Sequence, residues 1–220
     1  MKAKSVLIIG MGKFGTILGT KLVDLGNDVM VVDKDEETIN TLSSKFPYSL
    51  IGNCTNIEVL NNLGINNFDI CFVCIGDDFQ SSLEITSLLK DLGAKYVISK
   101  ANRYIQAKFL LKNGADEIVY PERDVAIKLA IRCNTKNVFD FIELGDEYAI
   151  FEISTPSQWV NKSLLGINVR QKFRINVLAY KKGEKLYPLP GPDYVFNSKD
   201  HIVVLGKHND ITKIISSSKN

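Results

Sequence analysis

Gly10-Met11-Gly12-Lys13-Phe14-Gly15 is the stretch with the clearest chemistry. A G-x-G-x-x-G run directly after an apolar strand and at the opening of a helix is built to receive phosphate. Gly10 permits the sharp turn, Gly12 lets a phosphate approach the backbone, and Gly15 lets the helix pack on the strand. The helix start adds free N–H groups and a partial positive charge. Asp33 ends the next apolar strand. A carboxylate there accepts bonds from ribose hydroxyls and repels a 2′-phosphate, so NAD(H) or an adenine nucleotide is expected before NADP(H). Lys13, inside the loop, suits a ligand with terminal negative charge such as ATP or ADP; it equally suits a solvated surface lysine. Asn53 and Thr55 follow the third strand, where a base edge would lie. Thr55 reads more naturally as the cap of the following helix. Gly76-Asp77-Asp78 follows the fourth strand on the same edge, with Asp78 expected to cap the helix near Ser81.

Other chemistries find little support. Cys71 and Cys74 form a C-x-x-C, but inside an apolar strand positions i and i+3 face opposite ways, so the two sulfurs cannot share one ion. Cys54 and Cys133 have no partner at ligand spacing, and structural thiols are expected throughout. The two histidines, His201 and His208, sit near the chain end. His201 reads as a strand-edge residue and His208 as a loop or helix-start residue. Without an acid or base beside the glycine loop, a sensor is expected before an enzyme. No H-E-x-x-H, G-x-S-x-G or Walker lysine motif occurs.

The elements that must hold these residues alternate. Short Val- and Ile-rich runs are expected as strands at Ser5–Ile9, Asp28–Val32, Ser49–Ile51, Ile70–Ile75, Tyr96–Ser99 and Glu117–Tyr120. Helices are expected between them at Phe14–Leu25, Glu36–Phe46, Ile57–Leu63, Ser81–Leu92 and Ile105–Asn113. Gly26, Gly64, Gly93 and Gly114 stand where helix ends want a left-handed residue. Apolar strands without alternation are covered on both faces. The pattern therefore implies an α/β fold with a doubly wound parallel Rossmann sheet, covering residues 1–136.

A helix opened by Pro121 follows, with a polar stripe of Asp124, Lys128 and Arg132 and apolar residues around the rest. It is expected to form a dimer contact; full burial within the chain is the alternative. Residues 137–220 then change texture. Val138–Leu144 and Tyr148–Ser154 flank a Gly145-Asp146 hairpin signal. Ser163–Phe173 reads as one helix or two short turns, Ile175–Tyr180 and His201–Leu205 as strands, and Pro188–Pro192 as a stiff loop. The Ser-Ser-Ser-Lys-Asn tail is expected to fray. This is a smaller α+β C-terminal domain.

With 220 residues and 45% hydrophobic content the chain buries a real core. A net charge of +2 with no basic run excludes a general nucleic-acid binder. No apolar run approaches the ~20 residues that span a bilayer. The N-terminal stretch faintly resembles a signal peptide, but its apolar run stops at Gly10 without a cleavage site. A cytoplasmic location without membrane insertion is expected.

The set G-x-G-K-F-G, Asp33, Gly52-Asn53-Cys54-Thr55, Val73-Cys74-Ile75-Gly76, Ser99-Lys100-Ala101-Asn102, Gly114-Ala115-Asp116 and Tyr120-Pro121-Glu122 resembles the regulatory subunits of Trk/Ktr potassium uptake systems, which carry RCK domains (TrkA-N and TrkA-C). The resemblance covers essentially the whole chain. It implies a homodimer assembling into an octameric ring beneath a membrane-embedded potassium-transport subunit, at the inner face of the plasma membrane, with no nucleic acid involved. It also implies that ATP and ADP compete for the cleft and that ATP favours conduction. The nucleotide residues implied are Gly10, Met11, Gly12, Lys13, Phe14, Gly15, Asp33, Lys34, Asn53, Cys54, Thr55, Ile75, Gly76, Lys100 and Glu122. Many relatives carry arginine where Lys13 stands, and lysine lacks the forked contact. Glu122 is implied as a ligand of Mg²⁺ or Ca²⁺ between subunits. Leu164, Leu165, Asn168, Val169, Arg170, Ile175, Asn176 and Pro190 resemble a cyclic di-AMP site, and fit an ordinary core and dimer contact equally well. A small NAD(H)-dependent oxidoreductase or an NADH sensor is the other reading of the same glycine loop.

Overall fold

The computed structural model describes residues 2–134, 137–145 and 147–217. Asp146 of the expected hairpin, Thr135 and Lys136 at the expected joint, and the last three tail residues lie outside them. The described chain forms two compact units, Met1–Asp124 and Val125–Asn220. The division falls inside the Pro121 helix, whereas the sequence reading put the joint at its polar end.

The first unit is a six-stranded parallel sheet. Its strands are β1 (Ser5–Ile9), β2 (Asp28–Asp33), β3 (Tyr48–Ile51), β4 (Ile70–Val73), β5 (Val97–Lys100) and β6 (Glu117–Val119), in the order β3-β2-β1-β4-β5-β6. Between them lie α1 (Lys13–Asp24), α2 (Glu36–Leu42), α3 (Ile57–Leu63), α4 (Phe79–Asp91) and α5 (Tyr104–Lys112). The strand runs do not alternate because both faces are buried. Leu7, Ile9, Cys71, Val73 and Val97 pack with Leu60, Ile85 and Leu89 in one core. Val6, Ile8, Phe72 and Cys74 pack with Ile39 and Phe46 in another. Cys71 and Cys74 thus enter opposite cores, as their spacing requires. The strand order reverses between β1 and β4, and in open α/β sheets the crevice beyond the carboxyl ends at such a reversal is where ligands sit.

The end of α2 differs from the pattern. α2 stops at Leu42, and Phe46 turns back through a bond from its N–H to the Leu42 carbonyl to fill the space over Gly19, where a Cβ would touch its ring. Gly26, Gly64, Gly93 and Gly114 all adopt positive φ, as expected of helix stops.

The helix α6 (Pro121–Asn134) starts where expected, but Val125, Ile127 and Leu129 remain 42–64% exposed. Its apolar side is therefore not buried by the chain, against the alternative of full burial.

The second unit is an antiparallel sheet of β7 (Val138–Gly145), β8 (Tyr148–Ser154), β9 (Asn176–Lys182), β10 (Lys185–Pro188) and β11 (His201–Lys207), in the order β10-β9-β11-β8-β7. Ser163–Phe173 resolves into two short helices, α7 (Leu164–Ile167) and α8 (Val169–Phe173), broken at Asn168 with φ of 54°. The chain then closes with α9 (His208–Ser217), whose Ile211, Ile214 and Ile215 enter the core beside Phe151, Trp159 and Phe196. His201 opens β11 and His208 opens α9.

Glu152 ties three neighbouring strands of this sheet. Lys181 Nζ donates to its Oε2 at 2.7 Å, and His201 Nδ1 lies 3.0 Å from its Oε1. Burial opposes the charge on Glu152, but the bonds from Lys181 and His201 outweigh it and hold the carboxyl below its ordinary value. A depressed carboxylate contributes stability above its unfolded pKa and loses it as pH falls through the folded one. Glu152→Gln is expected to cost about 1 kcal/mol at neutral pH. The gap between variant and parent should close on acidification below the ordinary carboxylate range. Urea unfolding followed by the fluorescence of Trp159, the chain's single tryptophan, measures both.

Candidate functional site

β1 ends at Ile9, and Gly10 turns the chain with φ of 95°. The Gly10 N–H donates to the Val32 carbonyl at 2.9 Å, which keeps the turn against β2. A Cβ on Gly15 would run into the Gly10 carbonyl oxygen, so helix and turn are in contact that only glycine allows. A Cβ on Gly12 would meet nothing within 4 Å. Gly12 is the N-cap of α1, which receives no side-chain cap and has no acid in its first turn. By contrast, Asp35, Asn56 and Asp78 cap α2, α3 and α4 with their own side chains. The first turn of α1 is thus left to bind an anion.

Asp33 closes one side of this turn. Its Oδ2 accepts the Met11 N–H at 2.6 Å and its Oδ1 accepts the Asp35 N–H at 3.0 Å. Each oxygen keeps a further lone pair for a ligand hydroxyl. Asn53 is oriented by its neighbour: its Oδ1 accepts both the Thr55 N–H and the Thr55 hydroxyl, at 3.1 and 3.0 Å. Thr55 therefore holds Asn53, and the cap of α3 is Asn56, correcting the expectation that Thr55 caps it. Asn56 can bond the Glu58 N–H two residues on, and this leaves the Thr55 hydroxyl free for Asn53.

The cleft these residues enclose has a volume of about 300 Å³. Of the expected residues, Gly10, Gly12, Asp33, Lys34, Asn53, Cys54, Ile75 and Gly76 line it. Lys13 does not; with Met11 it lines a neighbouring open depression that also holds Asp35 and Glu37. Phe14 packs on the sheet core and Gly15 sits beneath the turn. Lys100 Nζ would lie 3.3 Å from a Cβ on Gly76, so its ammonium borders the cleft. Its bond at 2.7 Å goes to Glu122 Oε1, and that bond holds the Glu122 carboxyl below its ordinary value. Glu122 is thus in an ion pair, and no group of three or more His, Cys, Asp or Glu among the described residues is arranged to hold a metal. Burial, with the Asp33 charge adding to it, pushes the Cys54 thiol up to about 12, so it lines the cleft as a neutral group.

A further part of the lining includes Ser81 and Ile85, which the sequence reading did not assign to the site. Both belong to α4 and line the cleft together with Asp77 and Asp78. Asp78 caps α4 by accepting the Ser81 N–H at 3.0 Å and the Ser81 hydroxyl at 2.7 Å. The cap is Asp78, as the sequence reading expected, but the helix begins at Phe79 and not near Ser81.

A second cavity of about 420 Å³ lies in the second unit. Leu164, Leu165, Asn168, Val169, Arg170 and Pro190 line it, as expected together, and Leu165 and Leu189 stand 69% and 85% exposed. Ile175 and Asn176 do not. Ile175 is in the core, and Asn176 begins β9 in register with Leu205.

Comparison with known proteins finds two domain models along the chain. The TrkA-N domain model matches residues 6–121 and the TrkA-C domain model residues 148–217. The chain is 36% identical to Ktr system potassium uptake protein C of Bacillus subtilis, over 96% of this chain and 95% of that one. It is 31% identical to Ktr system potassium uptake protein A of Vibrio alginolyticus, over 97% of both. Among solved structures, the GsuK channel bound to NAD superposes with a TM-score of 0.72 at 16% identity, over 100% of this chain and 40% of that one. That likeness is one of fold, and the chain spans under half of that channel protein.

Proposed function

The chain belongs to the TrkA-N/TrkA-C (RCK) family of Ktr-type potassium uptake proteins, and from that membership we propose that it is the nucleotide-sensing regulatory subunit of a potassium uptake system. The observation that carries the nucleotide reading is the pairing of an uncapped α1 start with Asp33, across open space at Gly12. The residues fit an adenine nucleotide: phosphates against the first turn of α1, ribose hydroxyls on the Asp33 carboxylate, and the base edge at Asn53. NAD(H) meets the same three features, and the GsuK channel with NAD bound is a protein of this fold. Of the carboxylates that line the cleft, Asp33 and Asp78 accept backbone N–H groups. The His201 and His208 rings both belong to the second unit, where their neighbours are Glu152 and Glu143. On this reading the site binds its nucleotide without turning it over.

The ligand acts by differential affinity: the nucleotide that fits one arrangement of the assembly better shifts the population toward it. A full swing takes about 5 kcal/mol, which several coupled sites can share. The assembly we propose is a homodimer built on the exposed side of α6 and extended to an octameric ring. It sits on the cytoplasmic side of a membrane-embedded potassium-transport subunit. Among the described residues no helix is long and apolar enough to cross a membrane. Mg²⁺ or Ca²⁺ takes six or more oxygens. Glu122 offers one carboxylate already engaged by Lys100, so this chain alone does not supply that site. In the second cavity the leucine walls and Arg170 suit a compact dinucleotide such as cyclic di-AMP.

Potassium flux into liposomes carrying the transport subunit and this protein tests the reading. ATP is expected to raise flux and ADP to lower it, each at the same free Mg²⁺. Equal flux with ATP, ADP and no nucleotide would overturn the reading, and so would steady oxidation of NADH with carbonyl substrates.

A further inference from the structure

The strand order sets which way a nucleotide would run through the cleft. On the proposed reading its ribose lies at Asp33, the end of β2, and its base at Asn53, beyond β3. Both strands stand on one flank of β1, and β4 stands on the other. A phosphate chain that starts over the first turn of α1 therefore leads toward the turn after β4. Whatever the last phosphate carries meets Gly76, Asp77 and Asp78, which line the cleft there.

The lining is acidic. It carries three carboxylates, Asp33, Asp77 and Asp78, against one ammonium, Lys34. Lys100 borders Gly76, but its bond goes to Glu122. The turn after β4 is held in place, because Asn102 Nδ2 donates to the Gly76 carbonyl at 2.8 Å. The three acids differ in what engages them. Asp33 accepts the Met11 and Asp35 N–H groups, and Asp78 accepts the N–H and the hydroxyl of Ser81. Asp77 is exposed, and among the described residues its carboxylate takes part in no hydrogen bond or ion pair. All of its acceptor capacity is open to ligand hydroxyls, and its charge opposes a phosphate.

We infer, resting on the nucleotide reading, that Asp77 selects among adenine nucleotides by what their distal phosphate carries. It accepts a hydroxyl of a sugar esterified to that phosphate, and it opposes the extra charge of a phosphate left bare. The favoured ligand class is an adenosine pyrophosphate diester, as in ADP-ribose or a dinucleotide. ADP and ATP end in a phosphomonoester and bind against this charge.

ADP and ADP-ribose are the probes, because they differ only in the sugar on the far phosphate. Each is titrated calorimetrically into the full chain with a chelator present, at fixed pH and ionic strength, with ATP as a third ligand. ADP-ribose is expected to bind the parent protein at least about tenfold more tightly than ADP. Asp77→Asn keeps the shape and removes the charge, so ADP and ATP should bind more tightly than to the parent, and the ADP-ribose preference should fall to about threefold or less. Asp77→Ala also removes the acceptor, and should weaken ADP-ribose as well. Raised salt should shrink the parent's preference. Thermal unfolding of both variants should match the parent, because the side chain is exposed and bonds to nothing among the described residues. A parent that prefers ADP, or a preference unchanged in both variants, would overturn the assignment of Asp77 while leaving nucleotide binding in place. Binding of none of the three ligands would overturn the nucleotide reading itself, and this assignment with it.

Discussion

Asp33→Ala will lower the affinity for ATP and ADP by about a hundredfold while the sheet stays folded. The carboxylate has two roles in the cleft. It takes the Met11 and Asp35 N–H groups, which fixes the glycine turn against the end of β2. On the proposed reading its remaining lone pairs would take the ribose hydroxyls. Charge-assisted bonds of this kind contribute about 1.5–3 kcal/mol each, and losing the ribose contact together with the fixed turn reaches the hundredfold level. Removing the side chain also leaves two N–H groups to water, for which a stability loss of about 1–2 kcal/mol is expected. Calorimetric titration reads the affinity, and thermal unfolding without ligand reads the stability, so the two losses separate. Unchanged affinity would mean that the ribose is held elsewhere. NADP(H) should bind the parent protein more weakly than NAD(H), and Asp33→Ala should narrow that gap, because the repelled 2′-phosphate no longer meets a charge.

Two glycines three residues apart should respond in opposite ways to the same methyl group. Gly12 has φ of −63°, which alanine adopts freely, and a Cβ there meets only open space. Gly12→Ala should leave the unliganded fold as stable as before, or firmer by about 0.5 kcal/mol through a less flexible unfolded chain. The added methyl occupies the approach to the first turn of α1, and nucleotide affinity should fall at least about tenfold. Gly15→Ala drives its Cβ into the Gly10 carbonyl, so α1 must lift from β1. A loss of roughly 3 kcal/mol, or about ten degrees in melting temperature, is expected. If Gly12→Ala bound nucleotide as tightly as the parent, the open space at Gly12 would not be the phosphate seat.

Much of the first unit is legible because its signals are local. β1, the glycine turn and α1 follow one another within twenty residues, and apolar runs buried on two faces need no knowledge of their partners. The C-x-x-C is settled by strand periodicity alone, and the two cysteines do enter different cores. What is not legible depends on distant contacts. β10 is a four-residue edge strand beginning in Lys and ending in Pro, with little strand propensity of its own; its ladder with β9 and the Tyr187–Tyr180 stack define it. α9 carries Ile211, Ile214 and Ile215 at helical spacing, but the serines that follow read as a tail, so the apolar stripe passes unnoticed. Near the cleft, the Thr55–Asn53 bond and the Asn56 cap are decided by a competition among three adjacent polar residues that composition cannot rank. Lys13 falls outside the cleft because the first residue of α1 faces the depression beside α2.

Equilibrium binding of ATP and ADP to the intact chain, measured by calorimetry beside Gly12→Ala, tests the central claim most directly. The account predicts saturable micromolar binding of both nucleotides at one site per chain, weakened in the variant whose fold is unharmed. Absence of binding by either nucleotide to the parent protein would contradict it.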